Sequence, residues 1–159
     1  MKEESAMRLF VSANSYRKAG AILFKDGDLN LFLPATVNQA LSLELLLKCL
    51  CHVSGKDQIQ THSLKKLFVQ LDQQTKKSLT KDFSDFISQP ETQQQIKNME
   101  VASNMSMPKS LVDALKTWGD IFVNARYEHE IDGKQLTMMF YDFLFELFAK
   151  EVKKLREDW

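Results

Sequence analysis

The fold of this chain is decided by LSLELLLKCL, residues 41–50, because this stretch is apolar on nearly every side of a helix. A helix at the surface needs one apolar stripe, whereas a helix that is apolar nearly all round belongs in the middle of a protein. Pro34 suits the first turn of this helix, and Gly55 suits the position just after its end near Val53. The sequence therefore predicts a central helix over about 34–53.

Further helices are predicted on both sides of this central one. The chain has three prolines and five glycines in 159 residues, and no segment alternates as a strand would. Ser63 can cap a short helix. Apolar residues also recur near helical spacing over 5–25, 74–88, 108–127 and 135–157. The fold class is all-α, with a single domain over residues 1–159 that forms an up-and-down bundle of five to six helices.

Two segments of this bundle have an unusual composition. Residues 89–107 contain three consecutive glutamines and few large apolar side chains, so we expect a mobile loop or a loosely docked segment there. The helix over 135–157 has the opposite character, because its apolar side chains extend beyond a single stripe. That width predicts either a central position or the seam of a homodimer.

Composition excludes several classes of function. Lys plus Arg and Asp plus Glu both number 21, which argues against a broad nucleic-acid-binding surface but leaves room for a local phosphate site. Cys49 and Cys51 lie two apart on a helix and point in different directions, which disfavours a disulfide, and no Cys/His spacing predicts a metal. We expect a cytoplasmic protein with no membrane span and no cofactor.

A charged motif, RYEHE at residues 126–130, begins in the last residues of the helix predicted over 108–127. Arg126, His129 and Glu130 are three and four positions apart, so they share one face if the helix continues. Arginine is the side chain best suited to bind a phosphate through two parallel hydrogen bonds, and histidine is the usual proton carrier at neutral pH. The alternative is an Arg126–Glu130 ion pair that only fastens the bundle.

A second group of charged residues lies around the central helix. Glu44 and Lys48 form an i,i+4 pair among leucines, which predicts either a structural ion pair at the bundle edge or part of a site. His62 precedes Ser63 at the start of a helix, where free N–H groups favour an anion, although a surface histidine that assists the cap is the alternative. If these residues meet Arg126 in space, the cluster marks a functional site.

These motifs, in this order, resemble the HEPN superfamily. Its prokaryotic branch has a pattern like SLELxLK, then HxLxxLF, then RYxxE, which is similar to residues 42–48, 62–68 and 126–130. The resemblance implies a helical bundle that often pairs as a homodimer. It also implies two functional classes: metal-independent ribonucleases of toxin–antitoxin and antiphage systems, and members that bind nucleotides or act as accessory partners of another protein.

The resemblance implies roles for the charged residues. In a ribonuclease, His129 would be the general base on a ribose 2′-OH and Arg126 would stabilise the developing phosphorane. However, His129 follows Arg126 by three positions, closer than in the nuclease motif. That spacing favours a non-catalytic module in which Lys48, His62 and Arg126 hold a phosphate of a nucleotide or RNA.

Three side chains would support that site, and two alternatives remain. The supporting side chains are Glu44, Tyr127 and Glu130. The alternatives are the metal-independent ribonuclease and a purely structural module that binds a partner protein.

Overall fold

The described part of the chain is a bundle of α-helices. The computed structural model describes residues 2–56, 60–124 and 140–159, with side chains at 4–56, 60–119 and 140–159. Its helices are α1 (Lys2–Asp26), α2 (Phe32–Val53), α3 (Leu64–Gln70), α4 (Gln73–Ile87), α5 (Pro90–Ser103), α6 (Leu111–Asn124) and α7 (Tyr141–Leu155). The all-α prediction is confirmed, with seven helices in the described ranges against the five to six predicted. No helix in those ranges is long and apolar enough to cross a membrane.

The central helix is α2, as its sequence predicts. It packs against α1, α3, α6 and α7. Its fully buried side chains include Leu43, Leu46, Leu47 and Leu50. Gly55 follows the end of the helix with φ of +78°, a left-handed conformation that suits glycine and stops the helix. The apolar run of the sequence is therefore the centre of the core.

An antiparallel hairpin of α1 and α2 forms one side of the bundle, and it depends on a small residue. A Cβ atom on Gly20 would lie 3.1 Å from the carbonyl oxygen of Ala35 and 3.1 Å from Cγ of Gln39. Any larger residue here would require Ala35 and Gln39 to shift. At the other end of the hairpin, the Cys49 thiol donates to the carbonyl oxygen of Ala6 over 3.3 Å.

The helix ends follow local hydrogen bonds, which correct two predicted boundaries. Ser63 caps α3 as predicted, because its hydroxyl oxygen accepts the N–H of Lys66. The helix expected from Pro108 begins at Leu111 instead, since the Ser110 hydroxyl accepts the N–H of Asp113 over 3.1 Å. The last helix, expected from 135, begins at Tyr141 because Phe140 has φ of +62°, which a right-handed helix cannot contain.

The glutamine-rich segment is part helix and part irregular backbone. The sequence indicated a mobile loop or a loosely docked segment over 89–107, part loop and part helix, and the structure has the 14-residue helix α5 followed by irregular backbone. This helix packs mainly against α4 and buries Thr92 and Ile96. Pro90 at its first turn supplies the helical φ, which a reading of apolar spacing overlooks.

The last helix lies inside the bundle, against α2 and α4. Its buried apolar residues include Tyr141, Leu144, Phe145 and Phe148. The Tyr141 hydroxyl shares a 2.7 Å hydrogen bond with the Ser42 hydroxyl, also buried. The central position therefore accounts for the apolar width of α7, and the homodimer stays a prediction.

Candidate functional site

The candidate site is built around the buried carboxylate of Glu44, which is 2% exposed. A buried carboxylate needs partners for its charge. The Nζ atom of Lys48, one helical turn further along α2, lies 2.7 Å from its Oε1. The Nδ1 atom of His62, which precedes α3, lies 3.0 Å from Oε1 and 3.2 Å from Oε2. The structure thus brings together three residues that the sequence singled out.

The carboxylate fixes the orientation and tautomer of His62. An ionised carboxylate only accepts hydrogen bonds, so Nδ1 of the imidazole must be the donor. In the neutral ring, Nε2 then carries the lone pair and can accept a proton or a hydrogen bond. Because the His62 side chain is 62% exposed and that of Lys48 is 23% exposed, both reach from the buried carboxylate towards solvent.

These side chains form one rim of a groove of about 650 Å³, which we call the basic groove. It lies between α1, the last turns of α2 and residues 60–62. Its basic side chains are Arg8, Lys48, His52 and His62, and its hydroxyl groups come from Ser5, Ser12 and Thr61. No acidic side chain is found among the described residues that line it. The volume suits a small molecule or one nucleotide unit.

The basic groups of the groove differ in how firmly they are held. Arg8 is paired with Glu4 over 2.5 Å, but the side chains are 77% and 63% exposed. An ion pair that exposed contributes little, so the guanidinium can turn to another anion. His52 lies in the last turn of α2, as the sequence indicates, and its Nδ1 atom is buried without a hydrogen-bond partner among the described residues.

The contribution of α1 to this groove was missed by the sequence reasoning, which treated the helix as an ordinary amphipathic one. Ser5, Arg8 and Ser12 are three and four positions apart, so they share one face of α1. That spacing is a polar stripe visible in the sequence. Its meaning depended on the antiparallel hairpin, which places the stripe opposite Lys48 and His52.

The two cysteines do not supply a nucleophile to the groove. Burial raises the pKa of Cys51, which lines the groove, to about 11, and that of Cys49 to about 12. A thiol with so high a pKa is protonated at neutral pH and reacts poorly. Both cysteines are free, in agreement with the predicted absence of a disulfide, and Cys51 donates to the carbonyl oxygen of Leu67 over 3.6 Å.

The RYEHE motif falls beyond the part of the chain that the structure describes. Helix α6 is described up to Asn124, two residues before Arg126. The phosphate-binding and catalytic predictions for Arg126 and His129, and the supporting roles of Tyr127 and Glu130, therefore lie outside the described residues and stay predictions.

Comparisons of the chain with protein-family models, curated proteins and solved structures found no match. The resemblance to the HEPN superfamily rests on the sequence motifs alone.

Proposed function

We propose that this chain is a HEPN-like, non-catalytic helical module that binds a phosphate group of a nucleotide or of RNA in the basic groove. The proposal is carried by one observation: the buried carboxylate of Glu44 binds and orients Lys48 and His62 at the rim of that groove. The described lining supplies basic and hydroxyl groups without an opposing carboxylate. Charged donors make the short, strong hydrogen bonds that phosphate oxygens accept.

The charge of the groove suits one phosphate group better than a long polyanion. Glu44 and Lys48 neutralise each other, so the surplus positive charge available to a ligand is that of Arg8, whose exposed pair with Glu4 can open. A surplus this small cannot replace the many counterions that a duplex or a long strand releases. It agrees with a chain of zero formal net charge.

The resemblance adds the finer parts of the proposal. We infer that Arg126 supplies a further phosphate ligand, supported by Tyr127 and Glu130, since the RYxxE-like motif follows α6 directly. We also infer that the chain pairs as a cytoplasmic homodimer in a prokaryotic defence or toxin–antitoxin system, where a partner protein completes its role.

The test is thermal unfolding with inorganic phosphate, ATP or a short single-stranded RNA. Ligand at a hundredfold excess over Kd stabilises a protein by about 2.7 kcal/mol, which corresponds to roughly 5–10 °C in Tm for a chain of this size. We expect that shift in the wild type and its loss in Arg8→Gln, which removes a groove cation without touching Glu44. Arg126→Ala should weaken it as well.

A matched control is available on α4, where Lys81 pairs with Asp85 over 2.6 Å as an exposed i,i+4 pair. Lys81→Met should keep the full ligand response, whereas Lys48→Met should lose it. If no ligand shifts the Tm of the wild type, the phosphate proposal fails, and the purely structural alternative then predicts lowered stability in Arg126→Ala.

RNA incubated with the protein in EDTA separates the binding module from the ribonuclease alternative. Intact RNA in the presence of a ligand-induced Tm shift supports the binding role. Cleavage by the wild type that is lost in Arg126→Ala and in His129→Ala would make the chain a metal-independent ribonuclease instead.

A further inference from the structure

A second cleft opens where α1 ends and α2 begins, and we call it the aromatic cleft. Its volume is about 350 Å³, at the lower end of the range for small-molecule sites. It is bordered by side chains from α1, α2, α4, α5 and the start of α7. The residues that matter to its chemistry are Phe24, Gln39, Phe86, Phe140, Asp142 and Phe143.

Half-buried phenylalanine rings form one wall of this cleft. Phe86 and Phe143 are stacked with centroids 3.7 Å apart and ring planes 7° from parallel, so each covers one face of the other. Phe140 meets Phe86 edge to face at 5.6 Å. A planar aromatic ligand can add to such a cluster at an outer ring face or edge to face, the two arrangements that aromatic rings favour.

The amide of Gln39 is a buried polar group of the cleft. Gln39 is 8% exposed, and its side-chain oxygen Oε1 is buried without a hydrogen-bond partner among the described residues. An unpaired buried carbonyl is costly, which suggests that it is paired when a ligand binds. The last torsion of a glutamine side chain is soft, so the carboxamide can turn its oxygen towards the cleft. An oxygen and an NH2 side by side match a ring edge with an N–H group next to a ring nitrogen.

The charge at the cleft mouth excludes a phosphate as the main determinant. Asp142 is the one charged side chain among the described residues that line the cleft. Arg17 lies 3.9 Å from it but also binds Glu146, so two carboxylates share one guanidinium. Among the described residues the mouth is therefore net negative, which disfavours an anionic ligand.

The aromatic cleft is separate from the basic groove. Gln39 and Lys48 are nine positions apart on α2, which is about 14 Å along the axis and half a turn around it. The two sites therefore lie on opposite sides of α2, and neither proposal rests on the other.

We propose that the aromatic cleft binds an uncharged nucleobase, which packs against the phenylalanine wall and donates an N–H to Oε1 of Gln39. The base can belong to a free nucleoside or to a single strand of RNA, since both present the same edge. Gly20 supports this site, because it lets α1 lie against the stem of Gln39.

Calorimetric titration with adenosine and with N6,N6-dimethyladenosine tests the proposal. The two probes share a ring, but the second lacks the exocyclic N–H. We expect adenosine to bind the wild type and to bind Gln39→Met about fivefold more weakly, the size of one lost hydrogen bond. The dimethyl probe should be weaker by a similar factor in the wild type and unaffected by Gln39→Met.

Two further variants serve as controls for the location of the binding site. Phe86→Leu removes part of the wall and should weaken both probes, while Arg8→Gln in the basic groove should change neither. Gln39→Met should unfold at the same or a higher temperature, because it removes an unpaired buried amide. A parallel titration with adenine-rich single-stranded RNA identifies the source: dependence on Gln39 for RNA but not for adenosine assigns the base to a strand.

Three results would overturn the proposal. The first is that neither adenosine nor the RNA binds at millimolar concentration. The second is that the wild type and Gln39→Met have equal affinity for adenosine and equal affinity for the RNA. The third is that adenosine binding depends on Gln39 while the wild type binds the two nucleosides with equal affinity.

Discussion

Glu44 is buried whereas its partners Lys48 and His62 are partly exposed, and this difference predicts whether Lys48→Met or Glu44→Gln destabilises the protein more. Lys48→Met leaves a carboxylate that is 3% exposed with His62 as its remaining described partner. Glu44→Gln leaves an ammonium group and an imidazole whose side chains are 23% and 62% exposed, so water can solvate both. We therefore expect Lys48→Met to cost more free energy of unfolding than Glu44→Gln.

The magnitudes follow from the desolvation of the charge that remains. Removing one partner of a fully buried pair costs about 3–5 kcal/mol, and the residual bond to His62 places Lys48→Met near the lower end. Glu44→Gln keeps the shape and loses charge-assisted hydrogen bonds to solvated partners, which is about 1–2 kcal/mol. The double variant has no buried charge, so it should resemble Glu44→Gln alone, and the coupling energy should then equal the cost of Lys48→Met, roughly 3 kcal/mol.

Urea denaturation followed by far-UV circular dichroism measures these differences, with an unchanged m-value as the check for a common unfolding transition. The exposed pair on α4 is the control: Lys81→Met and Asp85→Asn should leave the unfolding midpoint unchanged. A cost for Glu44→Gln equal to or above that for Lys48→Met, or an additive double variant, would refute the reasoning.

Three further predictions concern local features of the fold. Gly20→Ala should lower the free energy of unfolding by about 1 kcal/mol because its Cβ meets backbone at 3.1 Å, whereas Gly119→Ala, with its nearest atom at 3.7 Å, should raise it by about 0.5–1 kcal/mol. Paired urea denaturation checks both, and shifts of the same sign would contradict the close hairpin. Backbone hydrogen bonds at the start of α4 lower the pKa of Asp72, so its stabilisation is present above the unfolded pKa and is lost as pH falls through the lower folded value. Asp72→Ala should therefore cost about 1 kcal/mol at neutral pH and progressively less below about pH 4, as measured by unfolding at several pH values. Burial raises the pKa of Cys49 to about 12 and of Cys51 to about 11, so neither thiol should react with a disulfide reagent at mildly alkaline pH until urea unfolds the chain; fast reaction of the native protein would disprove their burial.

Most of the helices could be predicted because their signals are local. The apolar run of α2 and the cap at Ser63 are read from neighbouring residues, and the structure confirms both. The start of α6 was misplaced because Pro108 and Ser110 both resemble helix starts, and the hydrogen bond that selects Ser110 depends on backbone geometry. The bounds of helix α5 within 89–107 were not predicted, because a polar composition does not distinguish a peripheral helix from a loop.

In the candidate site, too, local features could be predicted and tertiary contacts could not. The sequence by itself determined the Glu44–Lys48 pair, since residues four apart on a helix are always neighbours. Tertiary structure alone decided that His62 joins it from 18 residues away, and that the polar face of α1 lies opposite. Contacts between elements depend on the path of the whole chain and on which faces the core buries. No local periodicity encodes that path, so the groove appears only when the helices are packed.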